Sequence, residues 1–85
     1  MFYVYVLKSD INDSIYVGCT NDLKRRFVEH NNRQNIATRD KAPFQLVYYE
    51  AYRSRADAKY RESSLKRHAG SMTHLKRRIR NSWEQ

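Results

Sequence analysis

Two runs rich in β-branched and aromatic residues, FYVYVLKS at 2–9 and IYVGCT at 15–20, are separated by only five residues, DINDS. Such runs favour strands, and a polar link that short joins antiparallel neighbours, so the N-terminal fifth of the chain is committed to a hairpin. Alternation along the first strand puts Tyr3, Tyr5 and Leu7 on one face. The rest of the chain has to pack against this hairpin.

Beyond the hairpin the chain reads as helix, strand, helix, helix. TNDLKRRFVEHNN has Asn21 or Asp22 as an N-cap and Asn31 or Asn32 near its stop. RQNIATRDKAP is a polar loop, and FQLVYYEAY after Pro43 is a third strand, apolar enough to be expected at the centre of a small sheet. Ser54 with Asp57 three residues on forms a capping-box start for a second helix that is expected to run to Gly70. In SMTHLKRRIRNSW, Met72, Leu75 and Ile79 recur at i, i+3 and i+7 on one helical face. The order β-β-α-β-α-α predicts an α+β fold, a three-stranded antiparallel sheet flanked by helices in a single domain over 1–85. No internal repeat, linker or low-complexity stretch interrupts it.

Seventeen Lys and Arg stand against nine Asp and Glu, a formal charge of +8 with a pI near 9.9, and nucleic acid is the first partner such a surface suggests. Cys19 is the only cysteine, so there is no disulfide framework and no paired-cysteine metal knuckle, and a reducing cytoplasmic compartment is expected. The apolar run in MFYVYVLKSD is far shorter than a signal core or a membrane span, so a soluble, non-exported chain without a membrane partner is expected.

Three charged or titratable residues sit where the helices ought to be apolar. Counting about 100° per residue from Leu23, Phe27 lies near 40°, His30 near −20° and Arg26 near −60°. Arg26 and His30 thus share or border the stripe that turns Leu23 and Phe27 to the sheet. On the second helix Ala58, Leu65 and Ala69 define the stripe, and Glu62 falls within it. A bland account exists for each: an arginine stem lying over the core, a histidine capping the last carbonyls, an ion pair from Glu62 to Lys66 four residues on. Together with Tyr5 and Tyr16 they make a set suited to phosphoryl chemistry. Arginine grips phosphate oxygens, a carboxylate holds Mg²⁺, and tyrosine and histidine move protons.

The spacing of YVY at 3–5, YVG at 16–18, DLKRRFVEH at 22–30 and the glutamate of AKYRESSLK resembles the GIY-YIG nuclease family, most of all its small stand-alone bacterial members. The resemblance covers nearly the whole chain. Tyr3 and Val4 replace the glycine and isoleucine of the first motif, and Val17 the isoleucine of the second. It implies Tyr5 and Tyr16 as the motif tyrosines, Arg26 and His30 as the helix pair, and Glu62 as the one carboxylate holding Mg²⁺ or Mn²⁺ in a one-metal mechanism. In that mechanism Arg26 holds a non-bridging oxygen and Tyr5 positions or deprotonates water, although Tyr5 and Tyr16 can exchange roles. Asn81 lies too far along the chain from Glu62 to be assigned as the asparagine some members carry.

Lys66, Arg67, Lys76, Arg77 and Arg80 form a basic face suited to lie along phosphates. The expected function is a metal-dependent endonuclease on DNA, structure-selective or weakly selective because no base-reading motif is present, with RNA as an alternative substrate. Repair or recombination is the expected setting, with a protein partner or homodimer allowed. The rival is a nucleic-acid-binding module that keeps the fold without turnover.

Overall fold

The chain runs through β1 (Phe2–Ser9), β2 (Ile15–Thr20), α1 (Leu23–Asn31), a 3-10 turn (Arg39–Lys41), β3 (Phe44–Tyr52), α2 (Arg55–Arg67), α3 (Ala69–Arg78) and α4 (Arg80–Glu84). This computed structural model describes residues 1–84; Gln85, the last residue of the expected domain, lies outside the described residues. The three strands form one antiparallel sheet in the order β2-β1-β3, the α+β architecture that the sequence predicts.

The central strand is β1 and not β3, a correction to the sequence reading. Val4, Tyr5, Val6 and Leu7 are buried in succession, as in a strand covered on both faces, whereas Gln45, Tyr49 and Ala51 of β3 are exposed. The tyrosines of β3 count as apolar in the sequence, which is why it reads as central. Tyr48 and Tyr52 instead donate hydrogen bonds to Glu50, which also pairs with Arg61 of α2 at 3.0 Å.

Alternation along β1 builds two cores. Val4 and Val6, with Val17, pack on Ala58, Leu65 and Leu75 from α2 and α3. Tyr5 and Leu7 pack on the opposite face with Ala42, Phe44 and, from α1, Leu23 and Phe27. Each fully buried large aliphatic side chain contributes roughly 1.5–3 kcal/mol. Packing on the sheet, more than helix propensity, therefore holds these short helices.

The helix ends show which local signals operate. Asp22 caps α1, its side chain accepting the Arg25 N–H at 3.1 Å. At the other end Gln34 N–H bonds Glu29 O at 3.0 Å and Arg33 N–H bonds His30 O at 3.2 Å, a Schellman closure with Arg33 at φ 62° where glycine is usual. The Asn31 side chain then clamps Phe44, accepting its N–H at 2.7 Å and donating to its carbonyl at 3.2 Å. Ser54 stands at the N-cap of α2, yet its hydroxyl makes no capping bond. Gly70 is not a stop: α2 ends at Arg67, His68 is extended, and Gly70 lies in the first turn of α3. The break at His68 lets Leu65 and Leu75 enter the same core, with the Ser64 and Ser71 hydroxyls bonded at 2.8 Å across it. A second break at Ile79 separates α4 and brings the Trp83 carbonyl to 3.2 Å from Lys8 Nζ.

Candidate active site

Tyr5 and Gly18 are register partners across β1 and β2. A Cβ on Gly18 would overlap the Tyr5 hydroxyl and ring, so the missing side chain is what lets this phenol lie over β2. β2 is an edge strand. The crossing therefore brings a residue of the central strand toward the rim of the sheet.

Behind the phenol stands His30, in the last turn of α1 and 0 % exposed. Tyr5 Oη lies 2.9 Å from His30 Nε2, and His30 Nδ1 lies 2.8 Å from Thr38 Oγ1. Thr38, itself buried, comes from the loop that Asn31 fastens. Tyr16 packs beside this chain, its ring 4.9 Å from that of His30 and 6.2 Å from that of Tyr5. The expectation that a histidine there merely caps the helix does not hold, since both ring nitrogens bond side chains.

The charges of the site follow from what surrounds the phenol. Burial pushes the Tyr5 phenol up to about 12; the Arg26 guanidinium opposes the rise, while Tyr16 and Glu62 add to it. One phenol thus senses both Arg26 from α1 and Glu62 from α2, helices that pack on opposite faces of the sheet. Burial, followed by the Arg26 charge, holds His30 below the ordinary histidine range, with Glu29 opposing. Arg26 pairs with Glu29 at 3.1 Å; burial works against its charge, but the bond to Glu29 and the nearby Tyr5 and Tyr16 phenols outweigh that.

Glu62 is the inward-leaning carboxylate that the helical count predicts, 15 % exposed at its side chain. The ion pair to Lys66 forms at 3.0 Å, and Lys59 adds a second at 3.6 Å. Lys66 Nζ also lies 6.0 Å from the Tyr16 ring centroid, which ties α2 to the β2 rim. As a metal holder Glu62 offers one hard oxygen donor. Among the described residues no three His, Cys, Asp or Glu gather around a point. A single carboxylate suits Mg²⁺ or Mn²⁺, which keep several waters and take further oxygens from a phosphate, so the donor set fits those ions.

The basic face is less unified than the sequence suggests. Lys66 belongs to the Glu62 cluster, and Arg67 is exposed at the end of α2. Lys76 lies over the Trp83 ring at 4.9 Å, while Arg77 and Arg80 line a depression of about 350 Å³ together with Arg78 and Asn81. Asn81 thus borders that depression. Thr38, Arg55 and Lys59 escaped the sequence reading. Thr38 lies in a loop with no periodicity to reveal it, but Arg55 and Lys59 could have been found from their spacing to Glu62.

Comparison with known proteins agrees with the geometry. The fold is similar to the solution NMR structure of a UPF0213 protein from Bacillus halodurans, with a TM-score of 0.53 and 33 % identity over 89 % of this chain and 86 % of that one. A UPF0213 protein of Clostridium perfringens is 40 % identical over 68 residues, 79 % of this chain and 72 % of the relative. One from Staphylococcus saprophyticus is 35 % identical over 65 residues, 75 % and 78 % of the two chains. Residues 1–76 match the model of the GIY-YIG catalytic domain, and the chain belongs to that family. The family is one of nucleases, with nucleic acid as substrate and divalent metals in general use. Among the described residues no helix is long and apolar enough to cross a membrane.

Proposed function

We propose that this protein is a metal-dependent endonuclease hydrolysing phosphodiester bonds in DNA, with Tyr5, Tyr16, Arg26, His30 and Glu62 at the β2 rim as its active site. One observation supports this most: a buried hydrogen-bond chain from Thr38 through His30 ends at the Tyr5 phenol, with the Tyr16 ring packed beside it.

Glu62 would hold Mg²⁺ or Mn²⁺, whose part is to stabilise the leaving 3′ oxygen. Arg26 passes from Glu29 to a non-bridging phosphate oxygen, where its fork neutralises charge that grows during displacement. A phenol with a pKa of about 12 is ionised in only about one molecule in 100,000 at pH 7. Tyr5 therefore accepts a proton from water only as its own proton leaves. His30 Nε2, at 2.9 Å, is the acceptor in the tautomer whose Nδ1–H donates to Thr38. The burial that lowers the histidine pKa keeps the ring neutral and able to accept. Tyr5 is 1 % exposed, so water reaches its hydroxyl after Arg26 has turned away from Glu29 toward the substrate. Tyr16 is half-buried and has no hydrogen-bond partner among the described residues, which leaves its hydroxyl for the phosphate or the attacking water.

Nothing in the site reads bases, and weak or structure-based selectivity follows. The test is nicking of plasmid and branched DNA with Mg²⁺ or Mn²⁺, wild type against Glu62→Ala, with RNA as competitor. Wild type should cut, and the variant should lose about a hundredfold or more. Equal cutting by the variant, or cutting that survives EDTA, refutes the reading. Salt-sensitive binding without cleavage under any metal, unchanged by Glu62→Ala, identifies a binding module instead.

A further inference from the structure

Arg55, Lys59, Glu62 and Lys66 follow one another at i, i+4, i+7 and i+11 and form one stripe along α2. At 1.5 Å per residue the stripe is about 16 Å long. It faces the free edge of β2, and a depression lies on each side of Glu62. One, of about 540 Å³, is lined by Arg55 and Lys59 with Phe2, Cys19, Thr20 and Asn21. The other, of about 330 Å³, is lined by Lys66 and Tyr16 with Ile15, Val17, Leu65 and Met72.

Lys59 and Lys66 occupy opposite oxygens of Glu62, at 3.6 and 3.0 Å. Their side chains are 53 % and 46 % exposed, so solvent screens each pair and neither holds its amine firmly. A phosphate entering the groove can draw either amine off at small cost. While they stay, they mask a carboxylate that would otherwise repel a polyanion. Three cations against one carboxylate leave the stripe positive.

We infer that α2 is the track for the sugar–phosphate backbone of one nucleic-acid strand, an inference that rests on the nuclease reading above. Arg55 and Lys59 hold phosphates on one side of the scissile bond and Lys66 on the other, and the two lysines pass from Glu62 to the substrate as it enters. At 3.4 Å of axis per nucleotide the stripe spans about four to five phosphates of a stacked strand.

The test is fluorescence anisotropy of labelled single-stranded and duplex oligonucleotides in EDTA, with affinity followed against salt. Each lost phosphate contact flattens the log–log slope by about 0.7 on single strands and about 0.9 on duplex. Arg55→Ala/Lys59→Ala should therefore flatten it by about 1.4 on the single strand or about 1.8 on the duplex, and the probe whose slope falls by its full amount is the polymer that rides the track. Lys59→Arg should keep the wild-type slope. Arg39→Ala/Lys41→Ala, which removes the same charge from the exposed loop after α1, should change the slope less than half as much. Glu62→Gln should steepen the slope by freeing both amines, and should fail to do so in a Lys59→Ala/Lys66→Ala background. A wild-type slope for Arg55→Ala/Lys59→Ala, or a change no larger than in the loop control, overturns the track. Cutting with an unchanged slope sinks the track and leaves the nuclease reading standing. A flattened slope without cutting under any metal does the reverse.

Discussion

Replacing Gly18 by alanine tests the packing on which the site depends. The added methyl would overlap the hydroxyl, Cζ and Cε1 of Tyr5, so one partner has to move. Tyr5 has little room to do so: it is 1 % exposed, belongs to the core with Leu7 and Phe44, and bonds His30 at 2.9 Å. Overpacking of this kind costs about 1–3 kcal/mol. Displacing the phenol adds about 1 kcal/mol for the buried hydrogen bond. The expected loss is about 2–4 kcal/mol, and at roughly 4–8 °C per kcal/mol for a domain of this size Tm should fall by about 8–32 °C. Gly70→Ala is the paired control, because nothing lies within 4 Å of a Cβ there and the residue sits in the first turn of α3. It should stabilise by about 0.5–1 kcal/mol. Urea and thermal unfolding followed by circular dichroism read both. In a Tyr5→Phe background the cost of Gly18→Ala should shrink but not vanish, since the ring carbons still collide. A Gly18→Ala variant within about 0.5 kcal/mol of wild type refutes the claim that the glycine exists to admit Tyr5.

Two further outcomes are expected, one of pH and one of backbone strain. His30 has a folded pKa below its unfolded value of 6.5, so the unfolded chain takes up the proton more readily; stability should be full above about pH 6.5 and fall as the pH drops toward the folded value. Thermal melts between pH 7.5 and 5.5 should show that slope in wild type and a flatter one in His30→Gln, and equal slopes would clear His30 as the cause. Arg33 holds a left-handed conformation at φ 62° that glycine adopts without strain, so Arg33→Gly should raise stability by roughly 0.5–1 kcal/mol; a loss in chemical denaturation would mean that the arginine side chain contributes more than the backbone costs.

Local signals carry much of the fold. The hairpin is legible because a five-residue link allows no other pairing, and α1 because Asp22 supplies its cap. The end of α2 is misleading in the sequence because Gly70 resembles a stop, while the chain bends at His68 to bring Leu65 and Leu75 into one core. Glu50 reads as an ordinary strand residue. Its partners Tyr48 and Tyr52 are visible at i±2, but Arg61 reaches it only once α2 lies on the sheet.

The candidate site divides in the same way. From the chain alone come the out-of-place identities of Arg26, His30 and Glu62, since the helical period relates residues within one turn of each other. How near the three come to one another is left to packing, because that depends on which sheet edge each helix crosses. It is packing that sends Tyr5 over Gly18 and hides His30 between Tyr5 and Thr38, whereas the two lysines on Glu62 follow from helical spacing within α2. Periodicity records the face on which a side chain lies; burial and hydrogen-bond partners come from segments distant in sequence, and only their docking sets them.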